Sequence, residues 1–148
     1  MSEFPSAWSQ PFNLPVERGK IAEIARAAGL FDRAYVDDPR PFAPPAFFYG
    51  ATYLFGSTWE RPGDTALADA PIDPQRLLHA EEEVTFPGPP PRAGDELTGR
   101  VRLESVTEKT SRSTGRTLRF VTATTEFRDS DGALAATSRT TAVEELAE

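Results

Sequence analysis

The chain has no cysteine in its 148 residues, so disulfides, thiolate metal sites and cysteine nucleophiles are excluded outright. Its single histidine, His79, leaves no two-histidine zinc site and no His-x-x-x-His pair. Basic residues are in deficit, with 16 Lys and Arg against 23 Asp and Glu for a net charge of −7. That balance lacks the basic stripe needed by a nucleic-acid coat or an anionic membrane surface. Long apolar runs are missing too. The longest, Phe47 to Phe55, is interrupted by Gly50 and falls far short of a membrane span. The opening MSEFPSAWSQPFNLP has neither a basic start nor an apolar stretch, so no secretory signal is expected and a cytoplasmic location is.

What remains is the composition of a folded domain, 39% hydrophobic and 26% charged, and the length predicts one domain over residues 1–148. The 14 prolines cluster at Pro39 to Pro45, at Pro71 and Pro74, and at Pro87 to Pro91. Each cluster breaks regular structure, because proline lacks the amide hydrogen and restricts its predecessor. The first half therefore holds one or two helices, and the second half is strand-rich.

Between Val16 and Ala28 the residues Ile21, Ile24, Ala25 and Ala28 follow helical spacing. Asn13 or the turn at Pro15 is the expected cap, and Gly29 the expected left-handed stop. From Pro45 to Gly56 the chain is apolar nearly all round, which predicts a helix buried in the middle of the domain. A short strand near Phe12 is also expected. Alternation then marks long antiparallel strands: Glu82, Val84 and Phe86; Leu97, Val101 and Leu103 around Gly99; Val121 to Phe127; Leu134 to Ala142. Ser113-Thr-Gly115 and Asp129-Ser-Asp-Gly132 read as the hairpin turns between them. The expected architecture is α+β, a curled antiparallel sheet of at least four strands wrapped around a hydrophobic helix.

The order of several words resembles the hotdog superfamily, and more narrowly its MaoC-like dehydratase N-terminal, or FAS1-like dehydratase, group. These words are VERGKIAEIARAAGL (16–30), APPAF (43–47), LLHAEEEVTF (77–86), RAGDELTGRVRLESVTEK (92–109) and DSDGALAATSRTTAV (129–143). The resemblance implies a single hotdog domain that pairs through its sheet edge. It also implies work on acyl thioesters of coenzyme A or acyl carrier protein, with no other cofactor and no metal. In such hydratases and dehydratases an Asp-x-x-x-x-His word activates water for addition to an enoyl thioester. Here Pro74 stands five residues before His79, and Asp73 six before it, so the word is absent. The expectation is a non-catalytic, substrate-binding half paired with a catalytic MaoC-type subunit.

Candidate residues carry two readings each. His79 is either a base or a thioester-facing hydrogen bonder, or a structural histidine paired with a backbone carbonyl or Glu81, and the structural reading is favoured. Phe47, Phe48, Tyr49, Tyr53, Phe55 and Trp59, with Phe42, are candidate walls of an acyl channel, though a central helix needs such residues as core alone. Arg112, Arg116 and Arg119 read as a solvated hairpin edge before they read as phosphate ligands. Two rival functions stay open. One is an autonomous homodimeric hydratase or thioesterase using His79 with Glu81 or Asp73. The other is a non-catalytic binder of acyl or aromatic ligands.

Overall fold

The computed structural model describes residues 2–3, 7–51 and 73–146. The elements in order are β1 (Ser2–Glu3), β2 (Phe12–Pro15), α1 (Arg18–Ala27), α2 (Arg33–Val36), α3 (Pro45–Ala51), a 3-10 turn (Pro74–Arg76), β3 (Leu78–Thr85), β4 (Glu96–Thr110), β5 (Thr117–Arg128) and β6 (Leu134–Glu145). They form one antiparallel sheet in the order β1-β4-β5-β6-β3, with β2 also on the outer edge of β4.

The proline-poor half supplies the sheet because its turns are cheap. Gly115 at φ 72° and Gly132 at φ 83° take the left-handed conformation their hairpins need. Asp129 fastens the second hairpin by accepting from the amides of Asp131 (3.0 Å) and Ala133 (2.8 Å). Bulges between Leu103 and Ser105, between Phe127 and Arg128, and between His79 and Glu81 bend the strands and increase their twist.

The concave face closes on α3 and α1. Phe47 and Phe48 are 1% and 0% exposed, and Phe48 meets Phe86 and Phe127 edge-on at 5.5 and 5.1 Å between centroids. Leu14, Val16, Ile21, Ala43, Leu97 and Ala136 complete this core. Gly99 has a specific reason: it lies opposite Phe12 across β2 and β4, and a Cβ there would overlap the Phe12 ring. Only glycine leaves that ring room to reach Phe127, 6.2 Å away.

Helix α1 buries Ile21 and Ala25, as its spacing requires. It ends as expected: Gly29 adopts φ 73° while Gly29 N–H donates to the Arg26 carbonyl and Leu30 N–H to that of Ala25. Its start differs from expectation. Asn13 is committed to the β2–β4 ladder, and the N-cap residue is Glu17, which makes no side-chain cap.

The proline clusters also do more than connect. Pro41 and Ala43 pair with Ala93 and Pro91 (Ala93 N–H to Pro41 O 2.9 Å, Ala43 N–H to Pro91 O 2.8 Å). Arg92 covers the Phe42 ring at 3.5 Å, and Arg40 reaches Asp95 at 3.0 Å. This two-segment clamp fixes where α3 starts.

Candidate functional site

On a regular strand, residues three apart face opposite sides of the sheet. Strand β3 breaks that rule. His79 pairs with Ala142 and Glu82 with Thr140 on β6, and a bulge takes up the extra residue between them. Ala142 and Thr140 are two apart and face the same way, so His79 and Glu82 both point to the concave face. Glu81 and Glu83, opposite Thr141 and Arg139, face the convex side.

Glu82 is the centre of what results. Its Oε1 accepts from the Ser138 hydroxyl, and its Oε2 accepts from Thr140 Oγ1 at 2.7 Å. His79 Nε2 stands 3.4 Å from the same Oε2. Tyr49 of α3 lies over the imidazole, with ring centroids 4.4 Å apart. Ser138 is fully buried, while the Glu82 and His79 side chains keep 15% and 35% of their surface exposed. A carboxylate so held can orient an imidazole: with Nε2 protonated toward Glu82, Nδ1 is left as an acceptor. In donating to Glu82, the half-buried Thr140 hydroxyl keeps its own lone pairs as acceptors.

The acids named with His79 from the sequence are elsewhere. Glu81 faces away, and Asp73 caps the 3-10 turn by accepting from Gln75 N–H at 3.0 Å. Alternation with Val84 and Phe86 puts Glu82 on the core-facing side, but no spacing rule sets His79 beside it, because the bulge that brings His79 round is set by pairing with β6. The aromatic set divides: Phe47 and Phe48 have the place of core side chains, Tyr49 is half-buried beside His79, and Phe42 lies under Arg92. Tyr53, Phe55 and Trp59 lie outside the described residues.

Farther along the same face, Arg119 joins Glu108 at 2.9 Å and Glu144 at 3.3 Å and is only 17% exposed. It is therefore an internal tie between strands and not a solvated edge. Arg116 pairs with Glu145 at 3.0 Å. On the convex face, burial raises the Glu104 carboxyl, but the Thr124 hydroxyl and the Arg139 guanidinium outweigh it and hold it below its ordinary 4.5. A separate cleft of about 440 Å³ there is lined by Trp8, Arg100, Glu126 and Arg128 among others. Among the described residues no group of three or more His, Asp or Glu could hold a metal ion, and no helix is long and apolar enough to cross a membrane.

A curled antiparallel sheet closed around a hydrophobic helix is the hotdog fold, an α+β architecture, and solved structures agree. The HadBC (3R-hydroxyacyl-ACP dehydratase) complex from Mycobacterium tuberculosis contains a chain similar at a TM-score of 0.70 and 18% identity, over 96% of this chain and 98% of that one. The ChsH1-ChsH2 complex from the same organism gives 0.61 and 14%, over 95% and 98%. A protein described as a MaoC-like dehydratase gives 0.67 and 26%, over 95% of this chain and 42% of that one. No curated protein matches the sequence significantly. Residues 3–138 match the family described as "FAS1-like, dehydratase domain region", and the chain belongs to that family.

Proposed function

We propose that the chain is the substrate-binding, non-catalytic half of an (R)-specific enoyl-thioester hydratase or 3-hydroxyacyl-thioester dehydratase. It works as a single hotdog domain beside a catalytic MaoC-type subunit. One observation carries this: a member of a dehydratase family has its only histidine on the last strand of the sheet, paired with Glu82 and not with an aspartate. Adding water across an enoyl bond needs a base for the water and an acid for the α-carbon. In this reading the partner brings both. The chain contributes the wall of the acyl channel, for which Tyr49, Tyr53, Phe55 and Trp59 are the candidate residues. The thioester is carried on coenzyme A or acyl carrier protein, and the reaction itself calls for no further cofactor. Two of the similar structures are described as two-component complexes, which supports a paired subunit.

The test is hydration of a panel of 2-enoyl-coenzyme A thioesters, followed by loss of the conjugated-enoyl absorbance. The chain alone is expected to be inactive, and a mixture with a MaoC-type chain active above that chain's own rate. Turnover by the chain alone would defeat this reading.

The His79–Glu82 pair supports a second reading, an autonomous homodimeric hydratase or thioesterase with His79 as base. In that case His79→Ala abolishes turnover, and unchanged turnover removes His79 as the base.

A further inference from the structure

The cleft on the convex face, about 440 Å³, falls inside the range of about 300–1,000 Å³ that small-molecule sites occupy. It lies across the sheet from His79 and Glu82, so the site described above does not use it. Gly99 fixes that side: a Cβ there would meet Phe12 in the core, so Thr98 and Arg100 to either side of it point outward.

The N-terminal segment closes one wall. Ser9 N–H donates to the Val101 carbonyl at 2.7 Å, and Val101 N–H donates back to the Ser9 hydroxyl at 3.0 Å. The same hydroxyl donates to the Gln10 carbonyl at 2.9 Å. These three bonds pin the segment beside β4 and hold the half-buried Trp8 against Arg102, whose guanidinium carbon is 4.8 Å from the ring centroid. Arg102 takes one face of the indole, and the indole N–H has no acceptor among the described residues.

Charge pairing leaves one cation over. The β4–β5 register sets Arg100 directly opposite Glu126 and Thr98 opposite Arg128. Glu126 nevertheless pairs with Arg128, at 2.9 Å, and Arg128 also donates to the Gly132 carbonyl at 3.0 Å. Asp129, the other acid of the lining, holds its hairpin through the amides of Asp131 and Ala133. The Arg100 guanidinium is left with no hydrogen-bond or ion-pair partner among the described residues, in a chain of net charge −7.

From this arrangement we infer that the cleft is a second ligand site, for a flat aromatic ring bearing a single carboxylate. Arg100 takes the carboxylate, because a guanidinium presents paired donors at the spacing of its two oxygens. Trp8 packs on the ring and offers its N–H as a further donor. One uncommitted guanidinium balances one negative charge. A phosphate dianion would bring a second charge against Glu126 and Asp129, and a cationic ligand would meet Arg100.

The probe is 2-naphthoate, titrated into the isotope-labelled full chain and followed by NMR on the indole N–H signals. Trp8 and Trp59 are the two tryptophans of the chain, and the Trp8→Phe variant assigns the pair by the signal it lacks. The Trp8 signal is expected to shift and to saturate with a Kd below about 1 mM. 2-Naphthylmethanol keeps the ring without the charge, and cyclohexanecarboxylate keeps the charge without the flat ring. Each should bind at least about fivefold more weakly than 2-naphthoate. Adenosine monophosphate, a phosphate dianion, should also bind more weakly. Arg100→Gln should weaken 2-naphthoate at least about fivefold while leaving the alcohol within about twofold, and Arg100→Lys should fall between. Thermal melting confirms that the variants fold. Arg26→Gln on α1 removes a charge elsewhere and should change nothing.

A Trp8 signal that stays still up to about 10 mM 2-naphthoate overturns the inference. So does equal binding of the alcohol, tighter binding of the nucleotide, or an Arg100→Gln chain that binds 2-naphthoate undiminished. A shift confined to Trp59, a candidate wall of the acyl channel, overturns it as well. The outcome is independent of the hydration assay, because the probe carries no thioester.

Discussion

The concave face of the sheet has two halves of opposite character. Around Gly99, Phe127 and Ala136 it meets the rings of Phe12, Phe47, Phe48 and Phe86. A few residues along the same strands it carries Ser138, Thr140, Glu82 and His79, and then Arg119 with Glu144. The first half is held by apolar burial, which is non-directional and large in sum. The second must satisfy each polar group individually, because an unpaired buried one costs about 1–3 kcal/mol. A fold can hold such a carboxylate, but stability alone gives no reason to place it there. The apolar half makes the fold, and the polar half is where a ligand or proton can be handled.

That contrast is open to measurement. Phe48→Ala should show the largest loss, about 3–5 kcal/mol in denaturant unfolding, since it empties the junction of α3 with β3 and β5. A loss below about 1 kcal/mol would mean that α3 is not the centre of the core. Glu82→Ala should cost less, about 1–3 kcal/mol, by stranding the Ser138 and Thr140 hydroxyls. Adding Ser138→Ala and Thr140→Val should recover part of it, which the apolar half would not show. Gly99→Ala should cost a comparable ~1–3 kcal/mol through overlap with Phe12. Combining it with Phe12→Leu should be less than additive in a double-mutant cycle.

His79→Ala should change stability by no more than about 0.5 kcal/mol, as for most partly exposed polar side chains. Its value is as a discriminator, because activity in the paired assay is untouched if His79 is structural. The smallest effect concerns acid. Glu104 titrates below its ordinary value when folded, so its contribution is complete above the unfolded value and fades as pH falls through the folded one. The melting temperature should drop through that acid range in the unaltered protein. Glu104→Gln should flatten the drop by a small amount.

Much of the fold was legible along the chain. The spacing of Ile21 and Ala25, the stop at Gly29, the turns at Gly115 and Gly132, and the inward parity of Leu97, Val101 and Leu103 all stand where local pattern puts them. Those features are set by neighbours within a few residues, and a sequence displays such neighbours directly. The misses were of another kind. Asn13 could cap a helix equally well, but the ladder with Thr98 claims its backbone. Arg119 looks like any hairpin arginine until β4 and β6 bring Glu108 and Glu144 to either side of it.

The candidate site shows the boundary most clearly. By itself the sequence determined that there is one histidine, no thiol and no Asp-x-x-x-x-His word. It also determined the strand period, and that period assigns His79 and Glu82 to opposite faces. Only the tertiary structure decided otherwise: pairing with Ala142 and Thr140 forces a bulge into β3 and turns His79 inward beside Glu82. The period of a strand is a local property of its backbone. Its register, and any residue left over when two strands are matched, depends on a partner more than 50 residues away.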